Sequence, residues 1–137
     1  MSDKSMVRVL DDIWIMRKEG TVLFTYVAEE RLNEQIFGSV LSAIDAFADK
    51  IDKGGLTSFQ IGPKKYIIKK AQNLYFIANH DAKRNSKKAA AELTFLSNMF
   101  CDVYHAELST FYGNVKPFQD FDKKVHESKM ENYWMLI

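Results

Sequence analysis

An α+β fold built on one five-stranded antiparallel sheet follows from three features of the sequence. Two short apolar runs flank a charged, glycine-containing break near the start of the chain, at Ile13–Met16 and Thr21–Val27. A block of three further apolar runs with short connections occupies residues 56–79. Between and after these lie two long segments whose apolar residues recur at helical spacing. The predicted order is strand, strand, helix, strand, strand, strand, helix, helix. One helix covers one face of the sheet, and the two C-terminal helices cover the other.

The first strand lies within Val7–Met16, with Ile13 and Ile15 on one face and Trp14 and Met16 on the other. The stretch "RKEGT" supplies the turn, where Gly20 can take positive φ. The second strand, "TVLFTYV", places Val22, Phe24 and Tyr26 opposite Leu23, Thr25 and Val27. Asn33 is positioned to cap the next helix, and Glu34 favours its first turn. From Glu34 to about Asp52 the residues Ile36, Phe37, Val40, Leu41, Ile44, Phe47, Ala48 and Ile51 form one apolar stripe, and Gly54 and Gly55 end the helix.

Three strands follow as a meander. In "LTSFQIG" the residues Thr57, Phe59 and Ile61 alternate with Ser58 and Gln60, and Gly62–Pro63 turns the chain. "KKYIIKKA" has lysine pairs around an apolar centre, which suits an exposed end or an edge strand. "QN" opens the next turn and "LYFIAN" is a compact apolar strand. Asn85 or Ser86 caps a long helix reaching about Leu108, with Ala89, Leu93, Leu96, Phe100 and Val103 as its stripe. A glycine- and proline-containing loop leads to a shorter helix from near Phe118 to about Ser128, with Phe118, Phe121 and Val125 on one side. One domain, residues 1–128, is therefore expected, with residues 129–137 as an apolar tail.

Composition narrows the function. The 137 residues are 47% hydrophobic and 27% charged, ordinary globular values, and a chain of this length buries about two-thirds of its surface without disulfides. A net charge of +1 lacks the global pull of a dedicated nucleic-acid binder. A lone cysteine, Cys101, excludes an internal disulfide and a cysteine-rich zinc site, and favours a reducing compartment. No apolar run has signal-peptide or membrane-spanning form, so a cytoplasmic protein, at most peripheral to a membrane, is expected.

No catalytic set is visible. His80 and Asp81 are adjacent, but neighbours on an extended chain point apart, and no serine or cysteine is tied to them. His80, His105 and His126 lack a second ligand at helical metal spacing. Cys101 sits beside the long helix's stripe, where a structural thiol is the default reading, although His105 follows one turn later. Neither phosphate loop, GxxxxGK[ST] or GxGxxG, occurs. No cofactor, metal or enzyme activity is expected.

Two segments suit binding. Lys83, Arg84, Lys87 and Lys88 surround a helix start, where they oppose the helix dipole; such a cluster receives a phosphate, an anionic lipid headgroup or an acidic partner, or is a solvated turn. Lys64, Lys65, Lys69 and Lys70 extend it only if the fold brings them close. The terminal residues Tyr133, Trp134, Met135, Leu136 and Ile137 either fold back into the core or dock on a partner.

The element order resembles the longin domain. The similar segments are the hairpin "IWIMRKEGTVLFTYV", the helix "EQIFGSVLSAIDAFADKI", the strands "LTSFQIGPKKYIIKKAQNLYFIAN", and "FLSNMFCDVYHAEL" leading through "FYGNV" to "PFQDFDKKVHE". The resemblance implies a non-catalytic interaction module of the kind found in membrane-traffic proteins, adaptor small subunits and assemblies that regulate small GTPases. Its implied partners are a small GTPase or another longin- or roadblock-like protein, including a second copy in a homodimer, in a setting of vesicle-mediated transport. The chain departs from SNARE longins, because no heptad-bearing segment follows, and from the signal-recognition receptor, because no GTPase domain is present. A roadblock-type module has similar layers but usually begins with a helix, and ranks second. The alternative is a peripheral anionic-lipid or phosphate-binding module using the basic cluster.

If both helical stripes are core, Phe100→Ala and Phe47→Ala should each cost about 3–5 kcal/mol in chemical denaturation.

Overall fold

The computed structural model describes residues 6–28 and 33–136, with side chains described as far as residue 128. The strands are β1 (Ile13–Arg17), β2 (Val22–Tyr26), β3 (Ser58–Ile61), β4 (Lys64–Ala71) and β5 (Leu74–Asp81). The helices are α1 (Glu34–Ile51), α2 (Ser86–Val103), α3 (His105–Ser109) and α4 (Phe121–Leu136), with a 3₁₀ turn at Lys116–Phe118. All strand pairs are antiparallel and the sheet order is β2-β1-β5-β4-β3. The expected α+β fold, with helices on both faces of one five-stranded sheet, is the observed one.

Strand β5 is the centre. Seven of its eight residues are buried, and its alternate side chains enter two different cores. Leu74, Phe76 and Ala78 join Ile13 and Ile15 beneath α2 and α4. Tyr75 and Ile77 join Met16, Val22 and Leu41 beneath α1. In the larger core, Phe100 touches the rings of Phe76, Tyr104, Phe118 and Phe121, with centroids 4.9–5.8 Å apart. Such offset and edge-on pairs add to the burial of large rings.

Local chemistry sets the element ends. Asn33 Oδ1 accepts from the amides of Gln35 and Ile36, and Asn85 Oδ1 accepts from those of Lys87 and Lys88. Each asparagine thereby satisfies two of its helix's open N–H groups. Gln72 and Asn73, with φ of 52° and 65°, form the two-residue turn between β4 and β5. Two left-handed residues match the twist of a tight hairpin. Gly38, inside α1, faces the turn between β1 and β2. A Cβ there would lie 2.3 Å from the Gly20 carbonyl oxygen, so only glycine allows α1 to approach the hairpin so closely.

Several elements depart from the sequence-based expectation. The alternation of β2 breaks at Leu23, because Ile15 pairs with Phe24 while Met16 pairs with Val22. Leu23 is the extra residue of a bulge. It lies in the α2-side core together with Phe24, whereas Val22 lies in the α1-side core. Strand β4 is interior, between β5 and β3, and is not an edge. The long helix stops at Val103, and the chain continues as α3 after Tyr104, whose φ of −106° and ψ of 25° leave the helical basin. The Tyr104 ring is buried and its hydroxyl donates to Asp120 Oδ1 at 2.6 Å, which holds the break in place. Helix α4 runs on to Leu136, so the backbone of the expected tail is helical as far as that residue; the side chains of Tyr133–Ile137 lie outside those described.

An N-terminal strap had no sequence signal. Met6, Val7 and Leu10 are buried in the larger core. The Glu92 carboxylate of α2 accepts from the amides of Arg8, Val9 and Leu10 at 2.8–3.0 Å. One side chain thus satisfies three backbone donors of an otherwise irregular segment.

Phe47 is 67% exposed and Phe100 is fully buried, which separates two positions that periodicity treats alike. Phe100→Ala should cost about 3–5 kcal/mol, and Phe47→Ala less than about 1 kcal/mol, in chemical denaturation. Gly38→Ala should destabilise by roughly 1–3 kcal/mol through overpacking, outweighing the helix-propensity gain of about 1 kcal/mol. A more stable Gly38→Ala protein would contradict the close helix–hairpin contact.

Candidate interaction surfaces

Helix α1 has two apolar sides. Its inner side packs Phe37 on Trp14, with ring centroids 4.6 Å apart, and buries Leu41 in the smaller core. Its outer side exposes Ile36, Val40, Ile44, Phe47 and Ile51, each 46–72% accessible. These positions advance by four, four, three and four, so they form one stripe along the helix. Between Gln35 and Ala48 the only charged residue is Asp45, and it faces inward. Ser39, Ala43 and Ala46 lie exposed among the larger side chains and keep the surface low.

Beside α1 the sheet face is incompletely covered. Trp14, Tyr66 and Phe59 stack across it, with centroids 6.0 and 4.7 Å apart. Together with Phe37, Val40 and Ile61 they line a groove of about 1130 Å³. Strand β3 bounds the sheet on that side, with β4 its only strand neighbour among the described residues. Ile61, near its end, is 62% exposed.

A buried carboxylate anchors this helix. Asp45 accepts from the Leu56 amide at 2.9 Å, from Lys70 Nζ at 2.6 Å and from the Tyr75 hydroxyl. Burial works to raise its pKa, but the bonds from Lys70, Tyr75 and Leu56 outweigh burial and hold the carboxyl below the usual carboxylate range. Burial, and then Asp45 itself, pushes the Tyr75 phenol up. Gly55 is required here, since at φ +66° a Cβ would lie 2.4 Å from Asp45 Oδ1. Further polar ties fix α1 to the hairpin: Gln35 bonds both the amide and the carbonyl of Val22, and Ser42 Oγ donates to the Lys18 carbonyl at 2.7 Å.

The residues weighed for catalysis are not assembled. His80 is fully buried on the α2 side; its Nδ1 lies 2.8 Å from the Asp81 carbonyl oxygen, and its Nε2 has no partner among the described residues. Cys101 is half-buried, and burial followed by the Asp102 charge pushes its thiol up, away from the reactive thiolate. Among the described residues no three His, Cys, Asp or Glu side chains are grouped to hold a metal ion, and no helix is long and apolar enough to cross a membrane.

The basic cluster divides. Lys83, Lys87 and Lys88 are exposed, and none has an ion pair among the described residues. Arg84 instead donates to the Val9 carbonyl at 2.9 Å and lies 3.8 Å from Asp11 Oδ1, so it fastens the strap. The four β4 lysines divide too. Lys64 pairs with Asp11, and Lys70 with Asp45, on the α1 side. Lys65 and Lys69 alternate in phase with Ile67 and Ala71, which pack on the α2-side core. The sequence pattern marked the cations but could not assign them to faces.

No protein-family model matches the chain, and no curated protein matches it. Solved structures share its fold. A Roadblock/LC7 domain from Streptomyces avermitilis aligns with a TM-score of 0.60 at 7% identity, covering 73% of this chain and 89% of that one. MglB of Myxococcus xanthus aligns with a TM-score of 0.58 at 8% identity, covering 71% and 85%. Both are longin-like folds, so the resemblance read from the sequence holds at the level of the fold. The roadblock-type module, which fits the element order less well, is represented directly among these structures.

The lowered Asp45 carboxyl makes stability acid-sensitive in one direction. Its contribution is complete above the unfolded value of about 3.8 and is lost as pH falls through the lower folded value. Asp45→Asn should flatten the stability–pH curve below about pH 4 relative to the parent. Asp45→Ala should cost about 3 kcal/mol at neutral pH, because Lys70 and Tyr75 lose their acceptor. Parallel acid-unfolding curves for parent and Asp45→Asn would refute the assignment.

Proposed function

We propose that this chain is a non-catalytic protein-interaction module that docks a longin- or roadblock-like subunit, in the simplest case a second copy of itself. The observation that carries the reading is the uncharged outer stripe of α1. Five large apolar side chains on one exposed face, with small residues among them, suit another helix packed against it. The open edge of β3 and exposed Ile61 continue this surface to the sheet. A two-fold pairing would place the same stripe on both sides of the contact, which requires no second specialised surface.

The longin resemblance adds a small GTPase as a partner and a membrane-trafficking assembly as the setting. The apolar residues Tyr133, Trp134, Met135, Leu136 and Ile137 are proposed as a second contact element on the same grounds as in the sequence. The fold shared with the Roadblock/LC7 domain and MglB supports an interaction module without specifying its partner.

Sedimentation or light scattering at micromolar concentration should give about twice the 15.8 kDa chain mass. Val40→Glu with Phe47→Glu should return the monomer while changing unfolding stability by less than about 1 kcal/mol, since both sites are exposed. Removal of residues 133–137 in parallel separates the tail from the stripe. A chain that is monomeric, and whose capture of candidate GTPases or longin-like subunits is unchanged by the double substitution, would sink the proposal.

A further inference from the structure

The charges of this chain are segregated along its sequence. From Thr57 to Ala91 there are eight basic residues and one acidic residue, Asp81, a local charge of +7. Since the whole chain carries +1, the remainder carries −6. Three of the eight cations are paired with Asp11 or Asp45: Lys64, Lys70 and Arg84. The other five, Lys65, Lys69, Lys83, Lys87 and Lys88, have no carboxylate partner among the described residues.

The fold places these five on β4, in the turn before α2 and in the first turn of α2, with Lys83, Lys87 and Lys88 exposed and Lys65 and Lys69 half-buried. The Ala82 amide donates to the Pro63 carbonyl at 2.8 Å, which pins the turn before α2 to the turn before β4. Lys83 is thereby brought to the Lys65 end of β4. Register places Lys65 beside Gln60 and His80, and Lys69 two residues beyond Ile67 on the same face. Lys87 and Lys88 open α2, which packs over β4 and β5. The nearest carboxylate of α2, Glu92, is spent on the strap amides.

We propose that this lysine surface, on the side of the sheet opposite α1, docks the chain onto an anionic lipid membrane. Its chemistry favours a diffuse anionic layer over a discrete phosphate. The N–H groups of Lys87 and Lys88, which would cradle a phosphate, are taken by Asn85 Oδ1. All five free cations are lysines, point charges without the planar fork that grips a single phosphate or phosphorylated side chain. Arg84, the one fork in the region, is turned to the strap. Tyr66, the aromatic nearest the β4 lysines in sequence, is stacked on Phe59 on the opposite face, which removes a base-stacking platform for nucleic acid. Phe95, exposed on α2 with no charged neighbour closer in sequence than Glu92, offers one apolar contact to the interface.

Co-sedimentation of the full chain with phosphatidylcholine vesicles containing about one-third phosphatidylserine tests this. Binding should appear at low salt and vanish with pure phosphatidylcholine or in about 0.5 M salt, where screening is nearly complete. Each lysine at an anionic surface contributes roughly fivefold, so Lys65→Gln with Lys69→Gln should weaken binding about 25-fold. Charge reversal of Lys83, Lys87 and Lys88 should abolish it, with folding checked by circular dichroism. Absence of binding at low salt would overturn the proposal. So would binding unaffected by the Lys65 and Lys69 changes, full competition by millimolar inorganic phosphate at constant ionic strength, or binding to polyglutamate in place of vesicles.

Discussion

The two-sided burial of β5 governs the layers of this molecule. A strand whose alternate residues all enter a core requires helices above and below its sheet. Five strands at about 4.8 Å span roughly 24 Å, while a helix with its side chains is about 10 Å wide. Helices α2 and α4, with the strap, are wide enough to cover one face. Helix α1 alone cannot cover the other. The aromatic row Trp14, Tyr66 and Phe59 is the part of that face α1 leaves over, and it forms the wall of the groove. The asymmetry of the layers therefore concentrates unspent apolar surface on one side of the protein.

This explains why α1 is held by polar bonds to an unusual degree. With much of its apolar surface turned outward, contact with the sheet contributes less than it would for a fully amphipathic helix. Close approach at Gly38, the Gln35 bonds to Val22, the Ser42 bond to Lys18 and the Asp45 cluster fix its position and rotation. The Asp45 cluster matters most for rotation. A buried carboxylate left without Lys70 and Tyr75 is costly, so turning α1 to bury Phe47 and Ile51 would strand that charge. The exposed stripe is thus kept exposed by the chemistry on the opposite side of the same helix.

Much of the architecture was legible in sequence. Periodicity located α1, α2 and the strands, and glycine and asparagine marked the turns and caps. Element order was enough to place helices on both faces. The misses share a cause: each depends on which residues a segment meets, and not on the segment's own pattern. An eighteen-residue helix with apolar residues all round one broad arc does not say which part of the arc meets the sheet, so Phe37 and Phe47 looked alike. The bulge at Leu23 is visible only through its pairing with β1. The Glu92 clasp joins residues more than eighty positions apart. Lysines of β4 looked like an edge signal, because alternation shows two faces but not that one of them answers to Asp11 and Asp45. The cations marked in the sequence are divided by the fold between ion pairs and open surface, and the terminal side chains lie outside those described.

The two proposed surfaces are separated by the sheet, and that separation has a physical consequence. The apolar stripe lies on the α1 face, while the unpaired lysines lie on the α2 face of β4, in the turn leading into α2 and in the first turn of α2. The side chains proposed for one are not those proposed for the other, although the groove reaches Lys64 and Arg84, the neighbours of Lys65 and Lys83. The +7 of residues 57–91 is a local excess along the sequence of a chain whose net charge is +1, and an anionic surface would attract that segment first. Were the α2 face to make the proposed membrane contact, the α1 face would stay open to another protein. Both proposed surfaces follow from the unequal covering of the two faces of one sheet: α1 leaves apolar side chains and a groove open on its side, while the unpaired lysines lie on the other.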